Sequence, residues 1–374
     1  MKVIRAHKIR LNPTVEQAEF FRRCAGVARF VYNHGLAEWK RLYDEGEKPT
    51  ALLLKTRFNG YKREAFPFVL EVPKDVAEGA FANLGQAFKN FFAGVKGERP
   101  KLGYPRFKSK KRSKSSFRLN NDKFRVDGHW LKVPRLATLV NMAEALRFAG
   151  RILSGVVSEQ GGQWFISITV ELEAALQRQR DVSTVAAVGI DLGVRRLATL
   201  SDGTHVENQN VLRAMLNKLK RLNRELARRQ PGSNRWWQTK RKLQRLHARI
   251  RNQRLDFLHK MTTRIARTYR LIGVEDLHVA GMVRNRRLAL SITDAAMSEI
   301  VRQLQYKAAW LGGTVQQVSR FFPSSKLCSS CGALNPHLTL QDRQWHCPAC
   351  GANHERDFNA AVNIEREALR LASL

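Results

Sequence analysis

Val185-Ala-Ala-Val-Gly-Ile-Asp-Leu-Gly193 is the stretch on which the fold turns. A continuous apolar run that ends in a carboxylate and a glycine reads as a buried strand with an acid at its end. Arg196 to Leu200 and the Ser201-Asp-Gly203 turn then predict a hairpin. Further on, Leu271 to Val274 is a second apolar strand and ends in Glu275-Asp276. Ile292 to Gly312 reads as a helix, Val315 to Val318 as a strand, and Asp357 to Leu371 as a terminal helix that opens with Asp357 and Asn359-Ala-Ala361. Strands that alternate with helices in this way describe an α/β unit.

Acids at two strand ends and one helix start can meet on one edge of a sheet. Three converging carboxylates suit a pair of Mg²⁺ ions, which take oxygen ligands and sit about 3.5–4 Å apart in phosphodiester chemistry. Each also has an ordinary reading: Asp191 as a turn residue, Glu275 as a solvated strand end, Asp357 as a helix cap. Asp276 and Glu355 are the nearest rivals for the second and third places.

Between the last strand and the last helix stand Cys328-Ser-Ser-Cys331 and Cys347-Pro-Ala-Cys350, with fifteen residues between the pairs. This is the spacing of a two-knuckle zinc site. Gly332 and Gly351 follow the pairs, where a knuckle backbone needs positive φ. Four thiolates close the tetrahedron, so the expected zinc is structural, and His346 and His354 are not expected to bind it. The fifth cysteine, Cys24, lies among apolar residues and reads as a buried thiol. Clustered cysteines of this kind fit a reducing cytoplasm and not a disulfide framework.

The charge is lopsided. Lys and Arg number 66 against 32 Asp and Glu, a net charge of +34 in 374 residues. With 43% hydrophobic residues the chain folds, and so much positive charge on a folded body calls for an anionic partner. Nucleic acid is that partner, since each neutralised phosphate releases counterions. A membrane is disfavoured, because no stretch approaches the roughly 18–20 uninterrupted apolar residues of a span.

The first half has another character. Met1 to Leu11 alternates as a first strand and lacks the apolar core of an export signal, and Thr14 can cap the helix that follows. From Val15 to about Phe92 apolar residues recur at helical spacing, and from Phe117 to Leu172 short alternating runs predict a small β-barrel or sheet that the first strand completes. Between them lies a basic loop with Arg106, Lys108, Lys110 and Lys111 interleaved with Tyr104 and Phe107. Such a loop suits phosphates and exposed bases. Leu212 to Arg254 forms a second basic element, two helices divided at Pro231-Gly-Ser-Asn234, with a single acid, Glu225. One apolar stripe (Leu212, Leu216, Leu219, Leu226, then Leu243, Leu246, Ile250, Phe257, Met261) faces a core. The other faces are cationic and include Arg221, Arg224, Arg228, Lys240 and Arg241, candidates for nucleic-acid contact.

Read together, Val188-Gly-Ile-Asp-Leu-Gly193, Ile272-Gly-Val-Glu-Asp-Leu277, Ser324-Ser-Lys-Leu-Cys-Ser-Ser-Cys-Gly332 and Arg356-Asp-Phe-Asn-Ala-Ala-Val-Asn363 resemble the TnpB (OrfB) family of insertion sequences, relatives of type V CRISPR effectors. Ala28-Arg-Phe-Val-Tyr-Asn33, Ala87-Phe-Lys-Asn-Phe-Phe92 and Gly103-Tyr-Pro-Arg-Phe-Lys108 extend the resemblance over nearly the whole chain. The resemblance implies a RuvC-like nuclease domain of RNase H fold at 181–322 and 352–374, interrupted by a zinc ribbon at 323–351. It also implies a wedge β-barrel at 1–14 and 100–180 with a helical recognition insertion at 15–99. Asp191, Glu275 and Asp357 become the catalytic, Mg²⁺-holding acids. The third motif often has Asp where this chain has Glu355, which leaves Asp357 in its register. The implied activity is RNA-guided cleavage of double-stranded target DNA by a protein of a transposable element, with a guide RNA from that element, in the bacterial or archaeal cytoplasm beside the nucleoid. The alternatives are RNA-guided DNA binding without cleavage, or a transposase accessory protein.

Overall fold

The computed structural model describes residues 2–110, 112–173, 187–339 and 341–373. Lys111, the first two residues of the apolar run (Val185 and Ala186) and the expected boundary at 180/181 lie outside the described residues. The chain divides into two compact units, residues 1–174 and 175–374.

The first unit opens with strand β1 (Lys2–Asn12). Pro13 cannot continue the ladder, and Thr14 caps helix α1 (Val15–Asp44). The Thr14 hydroxyl accepts from the Gln17 amide at 3.2 Å while the Gln17 side chain accepts from the Thr14 N–H at 3.0 Å, a reciprocal capping box. Helix α2 (Ala51–Ala65), a 3₁₀ turn (Pro67–Glu71) and helix α3 (Lys74–Val95) follow. Then come β2 (Ser116–Asn120), β3 (Arg125–Asp127), β4 (Trp130–Lys132), β5 (Val140–Met142), β6 (Arg151–Gln160) and β7 (Gln163–Glu173). They form one antiparallel sheet in the order β2-β6-β7-β1-β5-β4-β3. β1 is therefore a central strand, with Ile9 and Leu11 inward and Ile4 exposed. The ladders run from β2 to β3 with no closing pair among the described residues, so the expected barrel is half realised. Helices and sheet share a single core, in which Phe21 of α1 meets Phe117 of β2 at 5.8 Å and Trp164 of β7 at 5.2 Å. Cys24 is fully buried there, and burial pushes its thiol up to about 12.

The second unit contains β8 (Ala187–Leu192), β9 (Arg196–Leu200) and β10 (His205–Glu207), then helices α4 (Val211–Ala227) and α5 (Asn234–Thr268). β11 (Leu271–Glu275), the short α6 (Val279–Met282), α7 (Ala289–Ala295), α8 (Met297–Leu311) and β12 (Thr314–Val318) follow. The chain finishes with β13 (Gln344–His346), β14 (Asn353–Glu355) and α9 (Arg356–Ala372). The main sheet runs β10-β9-β8-β11-β12, antiparallel from β10 to β8 and parallel from β8 to β12. Side chains of a strand alternate between faces. Val188, Ile190, Ile272 and Val274 enter the core formed with Leu258, Met261 and Ile265 of α5 and Ile300 and Leu304 of α8. The opposite face carries α9.

Two expectations change in this unit. The helix read over Ile292–Gly312 is two helices, broken at Ala296, whose φ of 51° is left-handed. The buried Asp294 just before this break accepts from the Leu212 N–H at 3.0 Å and the Arg213 N–H at 3.2 Å, and so caps α4 from outside its own segment. The apolar stripe of the basic hairpin also splits. Leu219, Leu222, Leu246 and Ile250 make a small core between α4 and α5, whereas Phe257 and Met261 belong to the sheet. Leu216 and Leu226 stay partly exposed. Among the described residues no helix is long and apolar enough to cross a membrane.

Candidate active site

Register brings the first two acids together. Val274 of β11 pairs in parallel with Ile190 of β8, so the next residue on each strand is an acid, Glu275 beside Asp191. Neighbouring strands lie about 4.8 Å apart, and paired residues share a face. Two residues back on that face are Gly273 and Gly189, themselves a pair. Helix α9 lies directly on these glycines. A Cβ on Gly189 would stand 2.0 Å from the Ala361 carbonyl oxygen and 2.4 Å from the Glu365 nitrogen, and one on Gly273 would stand 2.8 Å from the Ala368 Cβ. Asp357 precedes Ala361 by one helical turn, about 5.4 Å, and the start of α9 therefore brings it to the acid end of the strands.

This seating makes a clear stability prediction. Gly189→Ala puts a methyl group against backbone atoms that cannot rotate away, and it should cost more than about 3 kcal/mol in urea denaturation. Gly26→Ala in α1, with nothing within 4 Å, should be neutral or slightly stabilising.

The three acids interact electrostatically. Burial, then the negative charges of Glu275 and Asp357, push the Asp191 carboxyl up to about 7, against the opposing pull of Arg356 and Arg343. Ser324 donates its hydroxyl to Glu275 Oε1 at 2.5 Å. Asp357 lies 3.1 Å from the Arg356 guanidinium and 3.5 Å from that of Arg343. The rivals have partners elsewhere: Asp276 pairs with Arg320, and Glu355 pairs with Arg196. A partly buried carboxylate with two others beside it offers a set of hard oxygen donors that fits a divalent cation. The carboxylates do not close on a single point. Among the described residues, the group of acid, histidine and cysteine ligand atoms that lie within 4.8 Å of one another is the cysteine set.

That set is Cys328, Cys331, Cys347 and Cys350. The Sγ atoms of Cys328 and Cys350 are 3.7 Å apart, and those of Cys331 and Cys347 are 3.6 Å apart. A tetrahedron with metal–sulfur bonds of about 2.3 Å has edges of about 3.8 Å, so the donor set fits zinc. The two knuckles repeat one pattern: Gly332 N–H donates to Cys328 C=O and Gly351 N–H to Cys347 C=O, each at 2.9 Å. Both glycines have positive φ, 78° and 73°. His354 sits against a sulfur, its Nε2 3.0 Å from Cys328 Sγ, and its ring lies tilted against Trp345 at 4.7 Å. Burial raises the Cys328 thiol, but the Cys331 and Ser330 amides and His354 overcome that and bring it to about 5.

Two buried asparagines tie the ribbon to α9. Asn359 donates to the Leu327 carbonyl at 2.7 Å and accepts from the Ser329 amide at 2.8 Å. Asn363 donates to Leu327 C=O at 2.6 Å and Ser324 C=O at 2.8 Å. Ser324 thus touches Glu275 through its hydroxyl and α9 through its carbonyl.

The basic candidates differ in setting. In the first unit Arg106 and Lys110 are exposed, but the Lys108 ammonium lies 3.6 Å over the Tyr32 ring. Asn33 brackets the Lys108 backbone, accepting from its N–H at 2.8 Å and donating to its C=O at 2.9 Å. Tyr104 packs on Phe88 and Phe91, at 5.4 and 5.5 Å, while Phe107 is exposed. In the second unit Arg221, Arg224, Arg228 and Arg241 are exposed, and Lys240 lies over Trp236 and Trp237 at 4.5 and 4.8 Å.

Known proteins share this organisation. A family described as a probable transposase (OrfB of IS605) matches residues 166–286, and a Cas12f1-like TNB domain matches residues 298–364. A domain described as helix-turn-helix matches residues 1–48, where this chain has β1 and one unbroken helix. A Streptomyces pristinaespiralis protein named as an RNA-guided DNA endonuclease is 37% identical, over 97% of this chain and 89% of its own. The Escherichia coli K12 protein InsQ, which carries the same description, is 33% identical over 97% of this chain and 92% of its own. The chain belongs to this TnpB/InsQ family. A solved Cas12f1 complex shares the fold, with a TM-score of 0.56 at 13% identity, over 94% of this chain and 83% of that one.

In this TnpB-family chain, several residues that build the site were not singled out from sequence. Gly189 and Gly273 had a signal, since Gly-Ile-Asp191 and Gly-Val-Glu275 place a glycine two residues before each acid. Asn359 and Asn363 had one too, four apart on a single helix face. Ser324 and Asp294 had none, because their partners lie 49 and 82 residues away in the chain.

Proposed function

We propose that this chain is an RNA-guided DNA endonuclease of a transposable element, and that Asp191, Glu275 and Asp357 cut the DNA. The convergence of these three acids on one sheet edge carries the reading. The family membership supports it, as does the Cas12f1 relative, which was solved with single-guide RNA and target DNA. The second unit is then a RuvC-like nuclease domain of RNase H fold at 181–322 and 352–374, with a zinc ribbon at 323–351. The wedge sheet at 1–14 and 100–180 and its helical insertion at 15–99 recognise nucleic acid. The setting is the cytoplasm, beside the nucleoid.

Bound at the acids, two Mg²⁺ ions would supply charge stabilisation to both the attacking and the leaving oxygen. The side chains have separate roles around them. Asp191 is the carboxylate most in need of a cation. Ser324 occupies one oxygen of Glu275, which fixes its rotamer and leaves the other oxygen for the site. Arg343 and Arg356 hold Asp357 and stand ready for a backbone phosphate. Zinc on four thiolates leaves no open position, so its role is structural.

Purified with its co-expressed RNA and given matching double-stranded DNA and Mg²⁺, the protein should cut, and EDTA should stop cutting while binding persists. DNA held but never cut with any divalent ion would favour the binding-only reading. Arg106, Lys110 and the hairpin arginines supply phosphate contacts. Replacing Arg221, Arg224, Arg228 and Arg241 together by alanine should flatten the salt dependence of RNA binding by about 3 units of log–log slope. An unchanged slope would remove the hairpin from the interface.

A further inference from the structure

At the acid edge of the same sheet, a groove of about 200 Å³ opens beside Glu275, between α8 and the ends of β11 and β12. Four of its lining residues are apolar, Leu277, Val279, Met297 and Val301, and they stand among the polar Ser298, Arg302 and Glu275. Two amides rim it, Gln305 and Gln317. Gln317 pairs with Val274 across the β11–β12 ladder, so it shares the face turned away from α9. Met297, Val301 and Gln305 recur every four residues and form one stripe of α8. Glu275 lines the groove and also belongs to the acid cluster.

We propose that this groove holds one nucleobase of the strand being cut, next to the phosphate engaged by the three acids. The proposal rests on the nuclease reading above and adds a base preference that guide pairing does not provide. Size comes first. Pockets for drug-sized ligands run to about 300–1,000 Å³, so this groove suits a single ring system. Surface chemistry comes second. Apolar side chains such as Met297 and Val301 can pack against the face of a base, and a carboxamide pairs with its edge, most completely with N6 and N7 of adenine. Charge comes third. Arg302 also borders the groove, but its guanidinium is held by Glu299 at 2.6 and 2.8 Å, and Glu275 adds a carboxylate, so the groove repels a phosphate and admits a base. The phosphate therefore stays on the acid side, and Glu275 stands between it and the base.

The test uses the RNA-loaded protein and targets that differ only in the base pairs flanking the cut, read as single-turnover rates. The wild-type protein should cut the strand with adenine at one flanking position about tenfold faster than with the other bases. Gln305→Leu with Gln317→Leu should compress that ratio below twofold, with melting temperature and guide-dependent DNA binding unchanged. Val301→Trp, which fills the groove, should slow cutting for all four bases and leave binding intact. Equal rates for all bases in the wild-type protein, or a preference that survives the double leucine variant, would overturn the proposal. A wild-type protein that binds and never cuts would instead overturn the nuclease reading, so the two failures are distinct.

Discussion

Asp191→Asn should lower DNA cleavage by at least about 10³-fold while RNA and DNA binding persist. The side chain is isosteric, so the loss is one of charge at the point where the structure most needs a cation. The same substitution should make the metal-free protein more stable. The folded Asp191 carboxyl titrates at about 7 against an ordinary value of 3.8. As pH rises through that window the unfolded chain gives up its proton first, so stability falls, and the cost is complete above about pH 7. A carboxyl displaced that far would cost about 4 kcal/mol, and partial exposure of the side chain trims this to roughly 1–3 kcal/mol. In EDTA the variant should therefore melt higher than wild type at pH 8, with the gain shrinking toward pH 4. Mg²⁺ should erase the difference by stabilising only the wild type. A variant that still cuts, or one that gains nothing at pH 8, would remove Asp191 from the metal site.

Cys347→Ser should have the second large effect, and it should be local. Among the described residues Cys328, Leu338, Trp345 and Cys347 form the ribbon's own small buried core, and the sheet beside it has two strands, β13 and β14. Such a piece is marginal by itself, and zinc contributes about 10–16 kcal/mol of apparent binding energy to modules of this kind at neutral pH. Without it the knuckles should open, and the Asn359 and Asn363 bonds that anchor Ser324 beside Glu275 should loosen with them. The expected result is loss of zinc, new proteolysis within 323–351 and at least about 10²-fold slower cleavage, with RNA binding retained. If the serine variant keeps its metal and its rate, the ribbon does not position the acids.

The contrast between what the sequence discloses and what it hides follows from distance along the chain. The knuckles are legible because each is only four residues long, and the acids because each ends its own apolar run or opens its own helix. The hairpin's two helices are legible too, from Pro231-Gly232. The division of its stripe is not, because Phe257 and Met261 continue the same helical spacing into a different core. The break at Ala296 is equally silent, since alanine is the best of helix formers and only the tertiary task of Asp294 explains the turn. Lys108 looked like its basic neighbours because a one-dimensional reading cannot place Tyr32 beneath it. That Asp191 and Glu275 end neighbouring strands follows from register, which joins residues more than eighty positions apart.

The glycine pair under α9 has one more consequence. In most helix–sheet layers two sets of side chains act as a cushion, and a change in either lets the layers settle closer or ride higher. Here the helix backbone rests on bare strand backbone at Gly189, and at Gly273 only Ala368 and Ile364 of the helix intervene, so there is little to compress and little to repack. The height of Asp357 above the strands is thus a mechanical stop, set by bond lengths and van der Waals radii. The surrounding core can drift in composition without moving the third acid, provided those two positions never acquire a side chain.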